Sequence, residues 1–447
     1  MMNQVFEKMT FILMTIVACL IILAIAVKPS HAQAVKVEIT GEAGNYQLLR
    51  GGKPYRINGA GFDKSDMQNL ASHGGNSIRT WGTDTNGDKT LKLLDQAHAL
   101  GITVSLCLYT KPERSGADYS DSSAVARQLK SHRKEVLRYK DHPALLTWII
   151  GNELNHDYTD PAVYDAVNDI SKMIHKLDPN HPTTTTLAGF SEEVLEVVVQ
   201  RAPDIDFISY QLYGQLYGLQ EFIKDVDFRQ PYFITEWGAI GHWEVDKTEW
   251  GAPIEQHSSA KADTYLRGYQ EVIEPYDSQI LGNYVFLWGQ KQEKTPTWYG
   301  LFTETGEETE VMDVMHFIWK GHWPDNRTPR IDALQLDGKL PEDNVRLEAG
   351  QAYAAKLLVA DADNDKLNYL WQVKKESAAT QVGGDFENSI ANLTGLISDE
   401  NSKETQMTAP EIAGAYRLFV YAYDGKGHAA HANIPFYVEK ETRTELR

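Results

Sequence analysis

The sequence predicts an α/β architecture, a (β/α)8 TIM barrel followed by a C-terminal all-β sandwich. Three observations point there. From about residue 45 to 325, short β-branched or apolar runs alternate with longer amphipathic stretches, the mark of βα units around a parallel sheet. Eight such runs fall within roughly 280 residues, the number and length of a closed barrel. Beyond Trp323-Pro324-Asp325-Asn326-Arg327-Thr328-Pro329 the helical periodicity stops and short alternating strands take over.

Residues 1–32 read as an export signal. Lys8 gives a positive start, Phe11 to Val27 is apolar, and Pro29-Ser30-His31-Ala32 with Gln33-Ala34 offers small-residue cleavage positions. An apolar run of about 17 residues is also at the lower limit for a membrane anchor. Ile16-Val17-Ala18-Cys19 has the look of a lipoprotein box, although the apolar run continues past Cys19. The expectation is cleavage and an exported protein, periplasmic or extracellular.

The predicted barrel strands are Tyr55–Ala60, Ser77–Thr80, Thr103–Leu108, Leu145–Ile150, Thr183–Leu187, Phe207–Tyr210, Tyr232–Thr235 and Gly282–Leu287. Between them run helical patterns such as Thr90–Leu100, which stops at Gly101, Ser123–Lys140 and Pro161–Leu177. A doubly wound sheet is the alternative, but no Gly-x-Gly-x-x-Gly follows the first strand. The barrel domain is placed at 33–325 and a linker at 326–332. A sandwich follows at 333–447, with strands at Asn344–Leu347, Ala354–Ala360, Leu367–Val373, Tyr416–Asp424 and His431–Val438.

The chain has 447 residues, 42% of them hydrophobic, enough for a large core in two domains. Its net charge is −19, and removing residues 1–32, which carry Lys8, Lys28 and Glu7, makes it one more negative. Such a surface repels nucleic acid and anionic membranes and suits a neutral or cationic substrate. Cys107 is the one cysteine left after cleavage, so no intrachain disulfide is expected. The histidines show no His-x-x-x-His pair backed by carboxylates, and neither a Gly-x-Ser-x-Gly elbow nor a phosphate-cradling loop appears. No metal or cofactor is expected. Asp361, Asp363 and Asp365 have a spacing that could hold Ca2+, but the EF-hand pattern is incomplete and the segment reads as a solvated turn.

Barrel enzymes carry their chemistry just past the carboxyl ends of the strands. Three ends stand out: Arg79-Thr80-Trp81 after the second strand, Gly151-Asn152-Glu153 after the fourth, and Glu236-Trp237-Gly238 after the seventh. Hydrolysis of a glycosidic bond needs two carboxyl groups flanking it, one protonated and one ionised. Glu153 and Glu236 are the candidate pair. Arg79 would favour the ionised form of its neighbour, and Asn152 can bond the sugar 2-OH. Each alone has an ordinary reading as a cap or an ion pair; their joint placement at strand ends favours catalysis. Aromatics gather at the same end, among them Trp81, Tyr109, Tyr210, Tyr213, Tyr217, Trp237, Trp243, Trp288, Trp298 and Tyr299. Some belong to the core; Trp237 and Trp288, at or beyond strand ends, have the strongest claim to stack on sugar. Asn155, His156, His242 and Gln290 are further candidate sugar ligands.

The run from Asp141 through Trp148-Ile149-Ile150-Gly151-Asn152-Glu153 resembles the acid/base segment of clan A glycoside hydrolases, especially the family 2 barrel. Tyr232-Phe233-Ile234-Thr235-Glu236-Trp237-Gly238 resembles the nucleophile strand. Asp206 to Gly214 resembles strand six, and Val285-Phe286-Leu287-Trp288 resembles strand eight. Arg50-Gly51-Gly52-Lys53-Pro54-Tyr55 resembles the turn that opens these barrels. The resemblance implies Glu153 as acid/base and Glu236 as nucleophile. It also implies that Tyr213 bonds the nucleophile and that Trp288 floors the subsite of the attacked sugar. Two departures are plain: the domains that precede the barrel in typical family 2 enzymes are missing, and Gln211 stands where strand six often has Asn.

A compact barrel with a C-terminal sandwich also looks like bacterial endo-β-1,3-glucanases of the clan. This makes a β-glucan or related polysaccharide the expected partner and an endo-acting retaining glucanase the expected function. A transglycosylase, an exo-glycosidase and an inactive carbohydrate-binding protein are the alternatives. Leu367-Asn368-Tyr369-Leu370-Trp371 and Tyr421-Ala422-Tyr423-Asp424-Gly425 resemble immunoglobulin-like modules of the PKD or cadherin kind, with Trp371 in the sandwich core.

Overall fold

A computed structural model describes residues 33–440 apart from 64, 85 and 381–383, so the expected leader at 1–32 lies outside the described residues. The chain opens with a hairpin, β1 (Val37–Glu42) and β2 (Asn45–Arg50), to which β3 (Lys53–Pro54) adds. Gly44, at φ 81°, takes the left-handed turn position between the strands. Val37 and Leu48 pack with Leu146, Phe207, Phe233 and Leu281, which lie at the starts of barrel strands. The hairpin is thus a plug over the amino-terminal mouth of the barrel.

The barrel closes from β4 (Gly59–Phe62), β5 (Ser77–Arg79), β6 (Thr103–Leu108), β7 (Leu145–Asn152), β8 (Thr183–Ala188), β9 (Phe207–Leu212), β10 (Tyr232–Trp237) and β11 (Ile280–Trp288), all parallel. Seven of these strands begin within two residues of the expected starts. The exception is the first, expected at Tyr55–Ala60. Residues 55–58 instead carry the chain up from the plug, and ladder pairing to β5 and β11 starts at Gly59. A Cβ at Gly59 would sit 2.5 Å from the Asn283 carbonyl, so this close approach needs glycine.

Around the barrel lie α1 (Met67–Ser72), α2 (Asp88–Ala99), α3 (Ser122–Tyr139), α4 (Ala162–Leu177), α5 (Glu192–Arg201), α6 (Leu219–Asp225), α7 (Ser258–Gly268) and α8 (Glu310–Lys320). Asp121 caps α3 through the amides of Ser123 and Ala124, and α4 buries Val163, Val167, Ile170 and Ile174 on one face at helical spacing. Among the described residues no helix is long and apolar enough to cross a membrane.

The C-terminal part is two antiparallel-rich sheets packed face to face. One holds β12 (Arg330–Leu336), β14 (Ala352–Ala360) and β16 (Glu404–Thr408). The other holds β13 (Arg346–Glu348), β18 (Ala429–Glu439), β17 (Gly414–Tyr423) and β15 (Asn368–Lys375). Trp371 is fully buried between them with Leu418, Val420 and Phe436. The expected linker at 326–332 is cut short, because β12 starts at Arg330. What precedes it is strapped down: Thr328 N and Arg327 Nε donate to Asp313, and Asn326 donates to Asp424. Within the sandwich two strands were not expected from the sequence, β12 and β16, and neither was the β1–β3 plug before the barrel. Of these, β16 has Met407 as its one large apolar residue and is a sheet edge. At the expected turn, Asp361 accepts the amides of Asp363 and Asp365, and Lys426 pairs with Asp365.

The two parts share a buried polar seam. Glu255 accepts from Lys261 at 2.5 Å and from Asn433 at 2.6 Å, and Arg417 donates to the Pro253 carbonyl at 2.8 Å. Backbone amides of Ile331 and His431 donate to Ser259 and Ser258 at the start of α7. Buried charges are tolerated only when paired and bonded in this way.

Candidate active site

Alternation along each barrel strand turns every second side chain toward the barrel axis. Arg79 ends β5 with its guanidinium fully buried. It donates to Oε1 of Glu236 at 2.7 Å and to Oδ1 of Asn152 at 2.7 Å. Gln211 on β9 donates to the same two acceptors, at 3.1 and 2.8 Å. The indole of Trp81 adds a third bond to Oε1 of Glu236, at 2.8 Å. Oε2 accepts from Tyr213 at 2.8 Å. One carboxylate therefore holds four donors, three on one oxygen and one on the other. Burial and the Glu236 charge push the Tyr213 hydroxyl well above its ordinary pKa, so it stays protonated and donates.

Glu153 is placed by an unusual backbone. Gly151 (φ 74°) and Glu153 (φ 50°) both take left-handed conformations at the end of β7. A side chain at Gly151 would collide with Leu154, 2.6 Å away. The Glu153 amide donates to the carbonyl and hydroxyl of Thr186 on β8, which pins the turn. Strain of this kind persists where surroundings over-determine it, often at functional sites. Burial, followed by the Glu236 charge, raises the Glu153 pKa to about 8, with Arg79 pulling the other way.

Both glutamates line one cavity of about 220 Å³, with Trp81, Asn152, Tyr213, Phe286 and Tyr299. A second cavity, about 400 Å³, continues past Glu153 toward Asn155, His156, Ala188, Gln211 and Gln215. Trp243, roughly half exposed, lines both, as do Glu153 and Tyr213. A larger groove of about 600 Å³ lies at the other end of the barrel, but its acids are committed: Glu38 to Lys36, Asp178 to His181 and Trp148, Asp206 to His175 and Thr183.

Of the expected site residues, Glu153, Glu236, Arg79, Trp81, Asn152 and Tyr213 come together here. Trp81 differs in role, since its N–H bonds Glu236 and its ring lies against Arg79, 4.8 Å from the guanidinium carbon. Trp237 and Trp288 do not reach the cavity, and both are fully buried. Trp237 follows an inward Glu236, so alternation sends it outward against Tyr265 and Tyr269, with its N–H on Asn283. Trp288 stacks on Trp319 and donates to Asn69 in the helical layer. Phe286, two residues earlier, lines the cavity in place of Trp288. Asn155 clamps the backbone of Ala188 by two bonds, Gln290 donates to the Pro296 carbonyl, and His242 faces Glu293. His156 lines the second cavity. Gln211 as a donor to Glu236, and Lys291, Glu293, Asp63 and Gly384 as cavity lining, were not singled out from sequence.

Residues 59–245, a span that includes both glutamates, match the glycosyl hydrolases family 2 TIM barrel domain. A mannan endo-1,4-β-mannosidase F of Aspergillus clavatus is 33% identical over 101 residues, covering 19% of this chain and 23% of that protein. A β-D-glucuronidase structure from Dictyoglomus thermophilum aligns with TM-score 0.50 and 18% identity, over 65% of this chain and 54% of its own. A family 5 mannosidase from Rhizomucor miehei aligns with TM-score 0.46 and 13% identity, over 63% of this chain and 96% of its own. The chain thus spans about half the length of the glucuronidase and about a quarter of the Aspergillus protein.

Proposed function

From a barrel of the glycoside hydrolase kind, we propose that this chain is a retaining β-glycoside hydrolase with Glu236 as nucleophile and Glu153 as acid/base. The observation that carries the reading is the opposed state of two carboxyl groups in one cavity: Glu236 held by four donors, Glu153 buried and protonated at neutral pH. A buried, protonated carboxyl beside one held by a cation and three further donors meets the need of glycoside hydrolysis for an acid and a nucleophile flanking one bond.

In the first step an oxygen of Glu236 attacks the anomeric carbon. Oε2, with one donor against three on Oε1, keeps the lone-pair capacity for this. The bond to the leaving oxygen breaks as Glu153 gives it a proton. In the second step Glu153 takes a proton from water, the hydroxide attacks the anomeric carbon, and Glu236 leaves. Asn152 has its oxygen occupied by Arg79 and Gln211, so its amide N–H is the group turned to a sugar hydroxyl.

The substrate class is a β-linked glycan, with β-1,3-glucan leading on the resemblance of barrel plus sandwich to endo-β-1,3-glucanases. An aromatic lining and a net charge of −19 favour a neutral sugar. On the mode of attack one observation favours exo over endo action: Gly384 of the sandwich, held by Lys291, lines the cavity that holds both glutamates. We adopt exo action. A transglycosylase would use the same residues with an acceptor sugar in place of water. The leader read at 1–32 supports export as part of this proposal, with the activity outside the cytoplasm. A panel of β-1,3-, β-1,4- and β-1,6-linked glycans and activated aryl β-glycosides tests the reading, with Glu153→Ala and Glu236→Ala each expected to lose most activity. Full activity in both variants would overturn the assignment. Binding with no hydrolysis by the parent would point to an inactive binding protein.

A further inference from the structure

The two cavities give the cleft a direction. The 220 Å³ space touches both carboxyl groups and holds the sugar under attack, whereas the 400 Å³ space touches Glu153 alone and receives the leaving group that Glu153 protonates. The leaving-group side lies over β7, β8 and β9, where Glu153, Ala188 and Gln211 reside. The non-reducing side must therefore lie across the mouth, over β4 and β5. That side is bounded by a residue from the other half of the molecule, Gly384, in the long connection between β15 and β16 of the sandwich.

The connection is tied to barrel loops on both flanks of β4 and β5. From the loop after β6, Arg114 pairs with Asp385 at 2.9 Å. From the loop after β11, Lys291 donates to the Gly384 carbonyl at 2.9 Å and the Lys294 amide donates to Glu387 at 3.0 Å. Lys294 also reaches the Ala379 carbonyl. Lys291 simultaneously pairs with Glu293 at 2.8 Å, so its ammonium is held between two partners where it lines the cavity. Asp63 and Glu293 complete a charged rim there. A volume of about 220 Å³ is below the several hundred Å³ of sites for drug-sized ligands, enough for about one sugar ring.

We propose that the sandwich supplies the end wall of the non-reducing subsite, through Gly384 and Asp385 docked on Lys291 and Arg114, and so restricts the enzyme to chain ends. The inference rests on the glycoside hydrolase reading above and adds a role for the C-terminal half as a specificity element. The wall acts by collision: a glycan continuing beyond the attacked ring meets backbone and paired charges instead of a groove.

The test uses the full chain with 4-nitrophenyl β-laminaritrioside, free or carrying a 4,6-O-benzylidene block on its non-reducing ring, and chromatography of all products. The wild type is expected to cleave the free trioside about 100-fold faster than the blocked one. Asp385→Lys, a surface charge reversal that expels the wall from Arg114, is expected to shrink that ratio by about tenfold or more. A variant with residues 384–387 replaced by Gly-Ser residues should do the same if it folds. Equal rates on both triosides by the wild type, or an undiminished ratio in a folded Asp385→Lys protein, would overturn the end wall while leaving the glycosidase intact. Inertness toward both triosides and every aryl β-glycoside of the panel would instead remove the underlying reading, and the wall with it.

Discussion

The indole N–H of Trp81 points at Oε1 of Glu236, 2.8 Å away, the same oxygen that receives the Arg79 guanidinium. A residue read from sequence as a sugar-stacking ring thus also orients the carboxylate expected to attack. Trp81→Phe keeps the ring and removes the donor. Hydrogen bonds to charged groups contribute about 1.5–3 kcal/mol, so kcat on an aryl β-glycoside is expected to fall about 10- to 100-fold. KM should change little, and steady-state kinetics separate the two.

Arg79 is fully buried and donates to Glu236 and Asn152 at once. Arg79→Lys keeps a charge but cannot hold the fork geometry, and Arg79→Met leaves Glu236 without its cation. The expected order of kcat/KM is wild type, then Lys, then Met, with the last down by at least about 100-fold. Thermal unfolding should show Met destabilised by about 3 kcal/mol or more, the usual cost of breaking a buried pair.

Glu153 must be protonated to assist departure, and its pKa stands near 8. The basic limb of kcat/KM is therefore expected to bend near that pH and fall tenfold per unit above it. Glu153→Gln should lose the limb. Its stability carries the opposite sign from an ordinary buried acid pair. With the folded pKa raised above the unfolded 4.5, the native state binds the extra proton, and the associated stability is lost as pH rises from about 4.5 through 8. At pH 9, where the wild type buries two carboxylates together, Glu153→Gln should have the higher Tm.

Glu255 behaves in the reverse way. Burial opposes its charge, but Lys261 and His431 hold it down to about 2. Stability from this seam is present above the unfolded value of 4.5 and fades as pH falls toward 2. Lys261→Met should lower the Tm of barrel and sandwich together, in one calorimetric transition. Two separate transitions in the wild type would contradict a shared seam.

What was legible in the sequence follows the reach of local rules. Strand ends carry function in a barrel, and alternation fixes which neighbour points inward. Glu153, Glu236, Arg79 and Asn152 were accordingly found from one segment each. The same alternation would have set Trp237 aside, since it directly follows the inward Glu236 within β10. Trp288 was carried over from resemblance, but the inward position belongs to Phe286. The Tyr55–Ala60 placement began four residues early, because residues 55–58 alternate apolar and polar like a strand yet join no ladder. Gly384 had no local signal at all. It reaches the cleft only because the buried seam of Glu255, Lys261, Asn433 and Arg417 fixes the sandwich against the barrel, a contact between residues far apart in the chain.

The central claim is that Glu236 forms a covalent bond to the sugar and Glu153 serves first as acid and then as base. Proton NMR of the first turnovers on an aryl β-glycoside tests this most directly, because each displacement inverts the anomeric centre once. The expected first product is the β-anomer, which then mutarotates. Appearance of the α-anomer first would mean a single displacement by water and would contradict the assignment of Glu236 as nucleophile.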